Sequence, residues 1–204
     1  MLKKLLNSPV FLVASVVVIA AAAATLSPRT KSLVEAAADS TSPRSIPLSE
    51  QWTVVSVADG DTITVKRGAE TKKIRFCGID APETPKPGKP GQPFGNEARE
   101  KLRSLVATAK NQVIIIPVET DRYGRTVAEV MAYGKGDVEV SFQEEMLKSG
   151  MARVYPAFVA KCPNAEVFKR AEEIAKSKNL GVWGDSSSIP PWEFRKQQRH
   201  NKGS

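Results

Sequence analysis

Short apolar runs that alternate with polar positions fill the middle of the chain, and this period of two is typical of β-strands. The runs are rich in β-branched residues. They predict strands at 52–58, 61–67, 72–79, 112–119 and 126–133, with a short one at 151–155. Apolar residues at helical spacing predict helices at 94–109, 140–150 and 164–181.

The order of these elements favours an α+β, mainly β fold. It suits a five-stranded Greek-key barrel of the OB type with three packed helices, and a different α+β sheet is the alternative. Pro and Gly crowd 82–93, which is expected to be a loop. On the last helix, the expected buried face consists of Val167, Ala171, Ile174 and Ala175.

The two ends of the chain differ from the middle. Residues 1–26 carry two lysines near the start and continue as an almost wholly apolar run, which is typical of a cleaved export signal or of an uncleaved membrane anchor. Either one predicts an exported protein, secreted or anchored to a membrane. Residues 27–50 are a predicted flexible linker. The folded domain is expected over 51–185, and 186–204 is expected to be a strap with a disordered basic tail.

Basic residues outnumber acidic ones by 30 to 22, which gives a net charge of +8. This balance favours polyanionic partners, either nucleic acid or an anionic membrane surface. The single histidine, His200, lies in the polar C-terminal tail, which argues against histidine-dependent hydrolysis. The two cysteines lack the spacing of a zinc site. Catalysis would therefore use carboxylates, arginines, lysines or tyrosines, with or without a hard metal ion.

Two aspartates lie at the ends of apolar runs. Asp59-Gly60 is a common hairpin turn pair, so Asp61 is an acid that the turn does not need. Asp61 and Asp80 repel each other if their strands are neighbours, unless a cation lies between them. Hard cations such as Ca²⁺ take oxygen ligands and need no histidine. One interpretation is a divalent metal site, and the other is that Asp61 caps the turn or pairs with an arginine.

Arg75, Glu83 and Arg125 supply the remaining groups that phosphodiester hydrolysis needs. Arginines present planar forks to phosphate oxygens, and a rigidly held carboxylate can orient or deprotonate a water molecule. Taken singly, each arginine is also explained by a surface salt bridge. Arg75 and Asp80 are separated by an odd number of positions, which puts them on opposite faces of a regular strand. A bulge near Gly78 is needed to bring them together.

Three motifs, "VADGDTITV", "IRFCGIDAPET" and "TDRYGRTVAEV", together with the closing "LGVW", resemble the staphylococcal nuclease (thermonuclease) family. The resemblance runs from about Trp52 to Trp183, with the same motif order and spacing. It implies an OB barrel with three helices. It also implies Ca²⁺-dependent hydrolysis of DNA and RNA that leaves 3′-phosphate ends.

The resemblance assigns a role to each matching residue. It implies that Asp61, Asp80 and the backbone carbonyl of Ala81 bind Ca²⁺, and that Glu83 is the general base. It implies that the phosphate-binding arginines are Arg75 and Arg125, and that the substrate contacts are made by Arg122, Tyr123 and Tyr155. Counting back from "LGVW" places Pro156 and Phe158 at the family's two stacking tyrosines, so Phe158 is an alternative to Tyr155.

Cys77 lies in a core strand and Cys162 lies in the loop before the last helix. Outside the cytoplasm two such cysteines can form a disulfide. The alternative is one buried thiol and one loop thiol.

The leading functional hypothesis is an exported, Ca²⁺-dependent, sugar-nonspecific endonuclease that works as a monomer on DNA and RNA. The alternative is a non-catalytic OB module that binds nucleic acid or a protein partner. A third hypothesis is a membrane-tethered interaction protein whose basic tails bind anionic lipid. That hypothesis explains the charge and the N-terminus but none of the three motifs.

Overall fold

A computed structural model describes residues 50–134 and 139–201. The predictions of an export signal or anchor for 1–26 and of a linker for 27–50 lie outside these residues, except that Glu50 begins the first strand. Within the described part of the chain, no helix has both the length and the apolar character that a membrane crossing needs.

Eight strands and four α-helices follow one another in this part of the chain. The strands are β1 (Glu50–Asp59), β2 (Thr62–Arg67), β3 (Glu70–Phe76), β4 (Ile79–Asp80), β5 (Gln112–Thr120), β6 (Thr126–Tyr133), β7 (Glu139–Ser141) and β8 (Arg153–Val154). The helices are α1 (Gly95–Thr108), α2 (Phe142–Lys148), α3 (Ala165–Ser177) and α4 (Pro191–His200), and two 3₁₀ turns are formed by Val159–Lys161 and Gly181–Trp183.

Five long strands close into a barrel. They pair in the order β3-β2-β1-β5-β6, and a parallel pairing of β3 with β6 completes the circle. Ile63 and Val65 on β2, and Ile74 and Phe76 on β3, alternate toward the buried core, whereas Arg75 points to the other face. The predicted OB-type barrel is therefore confirmed, with a fourth helix in addition to the three that were predicted.

The predicted strand over 72–79 is wrong at its end. β3 stops at Phe76, and the chain turns at Gly78, which has a φ of +72°. A Cβ atom at this position would lie 2.8 Å from the Cys162 sulfur, so both the backbone conformation and the available space require glycine. After the turn, β4 leaves the barrel and pairs with β8 in a separate two-stranded sheet.

Two helix predictions are also corrected. Residues of the basic tail that were expected to be disordered form α4, which begins with a proline at its first turn. On α3, Val167 and Ile174 are exposed, whereas Phe168 is fully buried together with Ala171 and Ala175. The buried face is rotated from the predicted one because the large aromatic ring gains most from burial in the core.

Cys77 and Cys162 form a disulfide in the structure, with Cα atoms 6.0 Å apart and 85 positions between them in the sequence. It ties the end of β3 to the segment before α3. Closing so long a loop restricts the unfolded chain strongly.

We expect the double variant Cys77→Ala/Cys162→Ala to lose about 3 kcal/mol of unfolding free energy in urea. Wild type in dithiothreitol should fall to the same value, and the double variant should not respond to the reductant. Identical unfolding curves for wild type with and without reductant would contradict the bond.

Candidate active site

The turn between β1 and β2 delivers Asp61 to the site. Asp59 shapes this turn, because its Oδ1 accepts a hydrogen bond from the Asp61 amide at 3.4 Å. A Cβ atom at Gly60 would lie 2.7 Å from the Cβ of Ala81 and 2.8 Å from that of Ala98, so the turn fits only with glycine. Of the two aspartates, the first serves the turn and the second is free for the site.

Asp61 is almost fully buried, and each of its oxygens has partners. Oδ1 accepts from the Thr62 hydroxyl at 3.0 Å and from Arg75, and Oδ2 accepts from the Ala81 amide at 2.7 Å. The contact that the structure gives Ala81 is thus through its N–H. Asp61 therefore forms an ion pair with an arginine, which is the interpretation that the sequence offered as the alternative to a metal site.

Arg75 lies between two buried carboxylates. Its Nη1 donates to Asp61 and its Nη2 donates to Asp80. The turn at Gly78 reverses the direction of the chain, which brings Asp80 to the Arg75 side despite the odd spacing. From the sequence, a bulge near Gly78 was required to bring Arg75 and Asp80 together. In the structure, β3 ends at Phe76 and the chain turns at Gly78 instead.

Glu83 is held by the loop that follows it. The Gln92 amide donates to the Glu83 carbonyl at 2.8 Å, and the Gln92 side chain accepts from the Glu83 amide at 3.3 Å. A Cβ atom at Gly95 would lie 2.2 Å from the Glu83 carbonyl oxygen, so the start of α1 packs directly on this backbone. The long Pro/Gly loop therefore closes on Glu83 and fixes its position.

Arg195, on α4, is a site residue that the sequence did not reveal. It donates to both oxygens of Asp80, at 3.1 and 2.7 Å, and to Oε1 of Glu83 at 2.7 Å. It was missed because the tail was expected to be disordered. Pro191 at the first helical turn, followed by polar helix formers, was the available signal for a helix.

Three contacts hold α4 and the chain before it against the site. The Trp192 ring stacks on Tyr155 with centroids 5.1 Å apart and planes 3° from parallel. The Gln92 side chain donates to the Ile189 carbonyl at 2.7 Å, and Arg153 donates to the Ser188 carbonyl at 3.1 Å. The helix is therefore part of the site's architecture.

The carboxylates of Asp61, Asp80 and Glu83 outnumber the two guanidinium groups of Arg75 and Arg195 that contact them. Burial raises the pKa of Asp61 well above its usual value, even though Arg75 opposes the shift. Burial lowers the pKa of Arg75, but the attraction of Asp61 and Asp80 outweighs it and leaves that pKa raised. The Asp61 charge is thus incompletely compensated by the protein.

The donor atoms suit a hard cation. Asp61 and Asp80 carry carboxylate oxygens, the ligand type that Ca²⁺ takes together with backbone carbonyls and water. In this structure those oxygens accept from Arg75, Arg195, the Thr62 hydroxyl and the Ala81 amide. Residues 50–134 and 139–201 contain no cluster of three or more acidic, histidine or cysteine side chains arranged to hold a metal ion. Asp61 and Asp80 are the two carboxylates whose oxygens have the donor chemistry of a hard-cation site, and the Asp61 charge is only partly compensated.

We expect Asp61→Asn to stabilise the fold at pH 7 by about 1 kcal/mol. Because the pKa of Asp61 is raised on folding, its stabilising contribution is complete below its unfolded pKa and is lost as the pH rises through the folded pKa. Urea unfolding in EDTA should show the gain at pH 7 and its disappearance toward about pH 4.

Asp121→Asn is the control with the opposite sign. Burial raises the Asp121 pKa, but hydrogen bonds from Arg125 and Tyr123 outweigh it and lower that pKa. Its stabilising contribution is present above the unfolded pKa, so this variant should lose stability at pH 7. If Asp61→Asn also lost stability at pH 7, the conclusion that the Asp61 charge is incompletely compensated would be refuted.

Arg122, Tyr123 and Arg125 lie on the turn before β6 and do not contact the carboxylate cluster. Arg125 pairs with Asp121 at 2.6 and 2.7 Å. Tyr123 is 68% exposed, and the guanidinium carbons of Arg122 and Arg125 lie 4.8 and 5.6 Å from its ring centre. Together they form an exposed basic and aromatic cluster at the start of β6.

This cluster adjoins the Arg75 strand. Arg125 lies two residues before Val127, which is the register partner of Arg75 in the parallel β3–β6 pair. Arg125 directly precedes Thr126, the first residue of β6 and the register partner of Ile74, so the chain places it next to the strand that carries Arg75.

Tyr155 stands beside the other predicted aromatic residue. One face of its ring is covered by Trp192, and its ring meets Phe158 edge to face with centroids 4.8 Å apart. Phe158 is 43% exposed. Of the two candidates for base stacking, Phe158 offers more accessible ring surface.

The closed mixed barrel, with carboxylates and arginines gathered where β2, β3 and β4 meet, defines an OB-type protein with a charged site on one side of the barrel. The family described as staphylococcal nuclease homologue matches residues 73–185, which is more than half of the chain. The chain belongs to the staphylococcal nuclease family.

Individual relatives agree with this assignment. A micrococcal nuclease of Shigella flexneri is 34% identical over 151 residues, covering 72% of this chain and 81% of that protein. An uncharacterized endonuclease of Haemophilus influenzae is 34% identical over 149 residues, covering 72% and 74%. An SPbeta prophage-derived endonuclease of Bacillus subtilis is 35% identical over 138 residues, covering 67% of this chain and 45% of that protein.

Proposed function

We propose that the protein is a Ca²⁺-dependent, sugar-nonspecific endonuclease that hydrolyses DNA and RNA and leaves 3′-phosphate ends. The nuclease class is supported by family membership and by relatives that are named nucleases and endonucleases. The observation that carries the finer proposal is the convergence of Asp61, Asp80 and Glu83 around two arginines. It brings three carboxylates and two guanidinium groups together, and these are the group types that a general base, a cation site and a phosphate site use.

Glu83 serves as the general base. Its Oε1 accepts from Arg195, whereas its Oε2 has no hydrogen-bond partner among the described residues. A carboxylate oxygen without a partner accepts a proton from a water molecule directed at phosphorus. The two hydrogen bonds between Gln92 and the Glu83 backbone fix the segment that carries the carboxylate, which lowers the reorganisation cost during the reaction.

The arginines bind the phosphate. Arg75 forms ion pairs with two buried carboxylates, those of Asp61 and Asp80, and these contacts fix the position of its guanidinium group. Arg125 adds a second guanidinium from the turn that precedes β6, the strand paired with β3. Such groups stabilise the negative charge that grows on the phosphoryl oxygens. Ca²⁺ held by Asp61 and Asp80 would supply further positive charge at the same place.

We further propose that the protein works outside the cytoplasm. The support is the disulfide between Cys77 and Cys162, since such bonds persist in oxidising compartments. Mass analysis of the native protein from culture medium and from membranes tests this. Recovery of only reduced, full-length protein from the cytoplasm would contradict it.

The test of activity is digestion of plasmid and single-stranded DNA, and of RNA, by the purified full chain. Cleavage with Ca²⁺, silence in EDTA and 3′-phosphate ends on the products are the expected results. Mg²⁺ in place of Ca²⁺ tests the metal preference. Products that a polymerase extends without prior phosphatase treatment would overturn the 3′-phosphate assignment.

The second candidate is a non-catalytic module that binds nucleic acid or protein. The observation that favours it is Arg195, which occupies both oxygens of Asp80 and one oxygen of Glu83. Absence of cleavage in every metal, by a folded chain that still binds DNA, would establish this reading in place of the enzyme.

A further inference from the structure

A groove of about 300 Å³ lies between residues 83–90 and α4, beside Glu83. We call it the α4 groove. Helix α4 lies outside the segment that matches the family, which ends at residue 185. One wall of the groove is therefore formed by residues beyond the matched segment, and the other wall is the loop that carries the candidate base.

Positive charge dominates the lining. Four cations contribute to it: Lys86, Lys89, Arg195 and Arg199. The charge of Arg195 is compensated by its ion pairs with Asp80 and Glu83. The ion pair of Lys86 with Asp59 is long, at 3.8 Å, and Lys89 and Arg199 have no ion-pair partner within residues 50–134 and 139–201. The groove thus presents three cations whose charge is largely uncompensated, which attracts an anion.

The cations stand on a fixed backbone. The amides and carbonyls of Lys86 and Lys89 exchange two hydrogen bonds, at 3.1 and 2.9 Å, around Gly88 with its φ of +69°. The opposite wall is held by the stacking of Trp192 on Tyr155. A preformed spacing between charged groups lowers the ordering cost of binding.

The lining also has features that suit the rest of a nucleotide. Phe194 is half-buried and contributes an aromatic ring to the helix wall. Rings in such positions stack on bases of any sequence. Thr84 also lines the loop wall, and its buried hydroxyl has no hydrogen-bond partner among the described residues.

We propose that the α4 groove binds a phosphate and the adjoining base of the nucleic-acid strand next to the scissile bond. This inference rests on the proposed function for its substrate class. It makes α4 part of the substrate-binding surface, and it gives the enzyme a preference for strands long enough to reach from Glu83 into the groove.

The test compares two variants that lose the same charge. The groove variant is Lys86→Gln/Lys89→Gln/Arg199→Gln. The control variant is Lys66→Gln/Arg170→Gln/Lys178→Gln, which removes exposed cations that do not line the groove. Thermal unfolding verifies that both are folded. The probe is a fluorescein-labelled single strand of about 12 nucleotides, titrated in EDTA and followed by anisotropy, so that binding is measured without cleavage.

We expect the groove variant to bind roughly 30-fold more weakly than wild type, with a salt dependence shallower by about 2 in its logarithmic slope. The control variant should stay within about threefold of wild type. Equal affinities for the two variants would overturn the proposal, because only net charge would then matter. Phe194→Ala, a neutral change, should weaken binding as well, and full affinity for it would remove the base contact.

The outcome is separable from that of the proposed function. If wild type cleaves DNA and the groove and control variants bind alike, the groove proposal fails and the nuclease stands. If no metal supports cleavage but the groove variant alone loses the oligonucleotide, the nuclease fails and the groove stands.

Discussion

Glu83→Gln is expected to lower kcat by about 10³-fold, with little change in KM or in the stability of the fold. Glutamine keeps the size of the side chain and an oxygen that can accept from Arg195, so the 2.7 Å contact survives. What is lost is the ability to take a proton from water. Single-turnover cleavage of a labelled strand in saturating Ca²⁺ measures the effect on the chemical step.

The matched control is Glu97→Gln, which removes an exposed acid from the first turn of α1 and should retain full activity. Unchanged turnover in Glu83→Gln would withdraw the base assignment and leave Glu83 as a partner for Arg195.

Arg75→Ala is expected to destabilise the protein by roughly 3 kcal/mol as well as to lower kcat. Arg75 is the cation that Asp61 and Asp80 share, and both carboxylates are almost fully buried. Removing it leaves the buried Asp61 charge without a cation and leaves Asp80 with Arg195 alone, which costs far more than the loss of a surface ion pair. Urea unfolding at pH 7 measures this loss directly.

Arg125→Ala is the companion variant, because its ion pair with Asp121 is partly exposed. It should lose about 1 kcal/mol or less, while its activity falls with that of Arg75→Ala. Adding Asp61→Asn to Arg75→Ala should recover part of the lost stability, since the uncompensated Asp61 charge is then removed. A double variant that recovers no more than the roughly 1 kcal/mol that Asp61→Asn gains by itself would show that the uncompensated Asp61 charge is not the cause.

Local patterns in the sequence were sufficient to predict the barrel. Alternating apolar positions in the sequence predict which strand residues are buried, among them Ile63, Val65, Ile74 and Phe76. The sequence also shows a turn aspartate, Asp59, followed by a second acid, Asp61. The family motifs then predicted Arg75 beside Asp61 and Asp80, which are neighbours in the structure.

The features that were missed depend on contacts between distant parts of the chain. Arg195 meets Asp80 across 115 positions, and Gln92 meets Ile189 across 97 positions. No local period reveals such pairs. The same holds for Phe168, whose burial depends on what α3 packs against and not on the helix's own apolar stripe. Tertiary packing overrode the local signal at each of these places.

The order of strands in the barrel has a practical consequence for choosing the limits of an expression fragment. The family match begins at residue 73, within β3, so a fragment with those limits would lack β1, β2 and Asp61. β1 joins β2 to β5, and its loss would open the barrel and leave β5 with an unpaired edge, a state prone to aggregation. The same cut at residue 185 would remove α4 and uncover Asp80 and Glu83. Expression fragments should therefore run from before Glu50 to beyond His200, with any affinity tag kept away from the C-terminal helix.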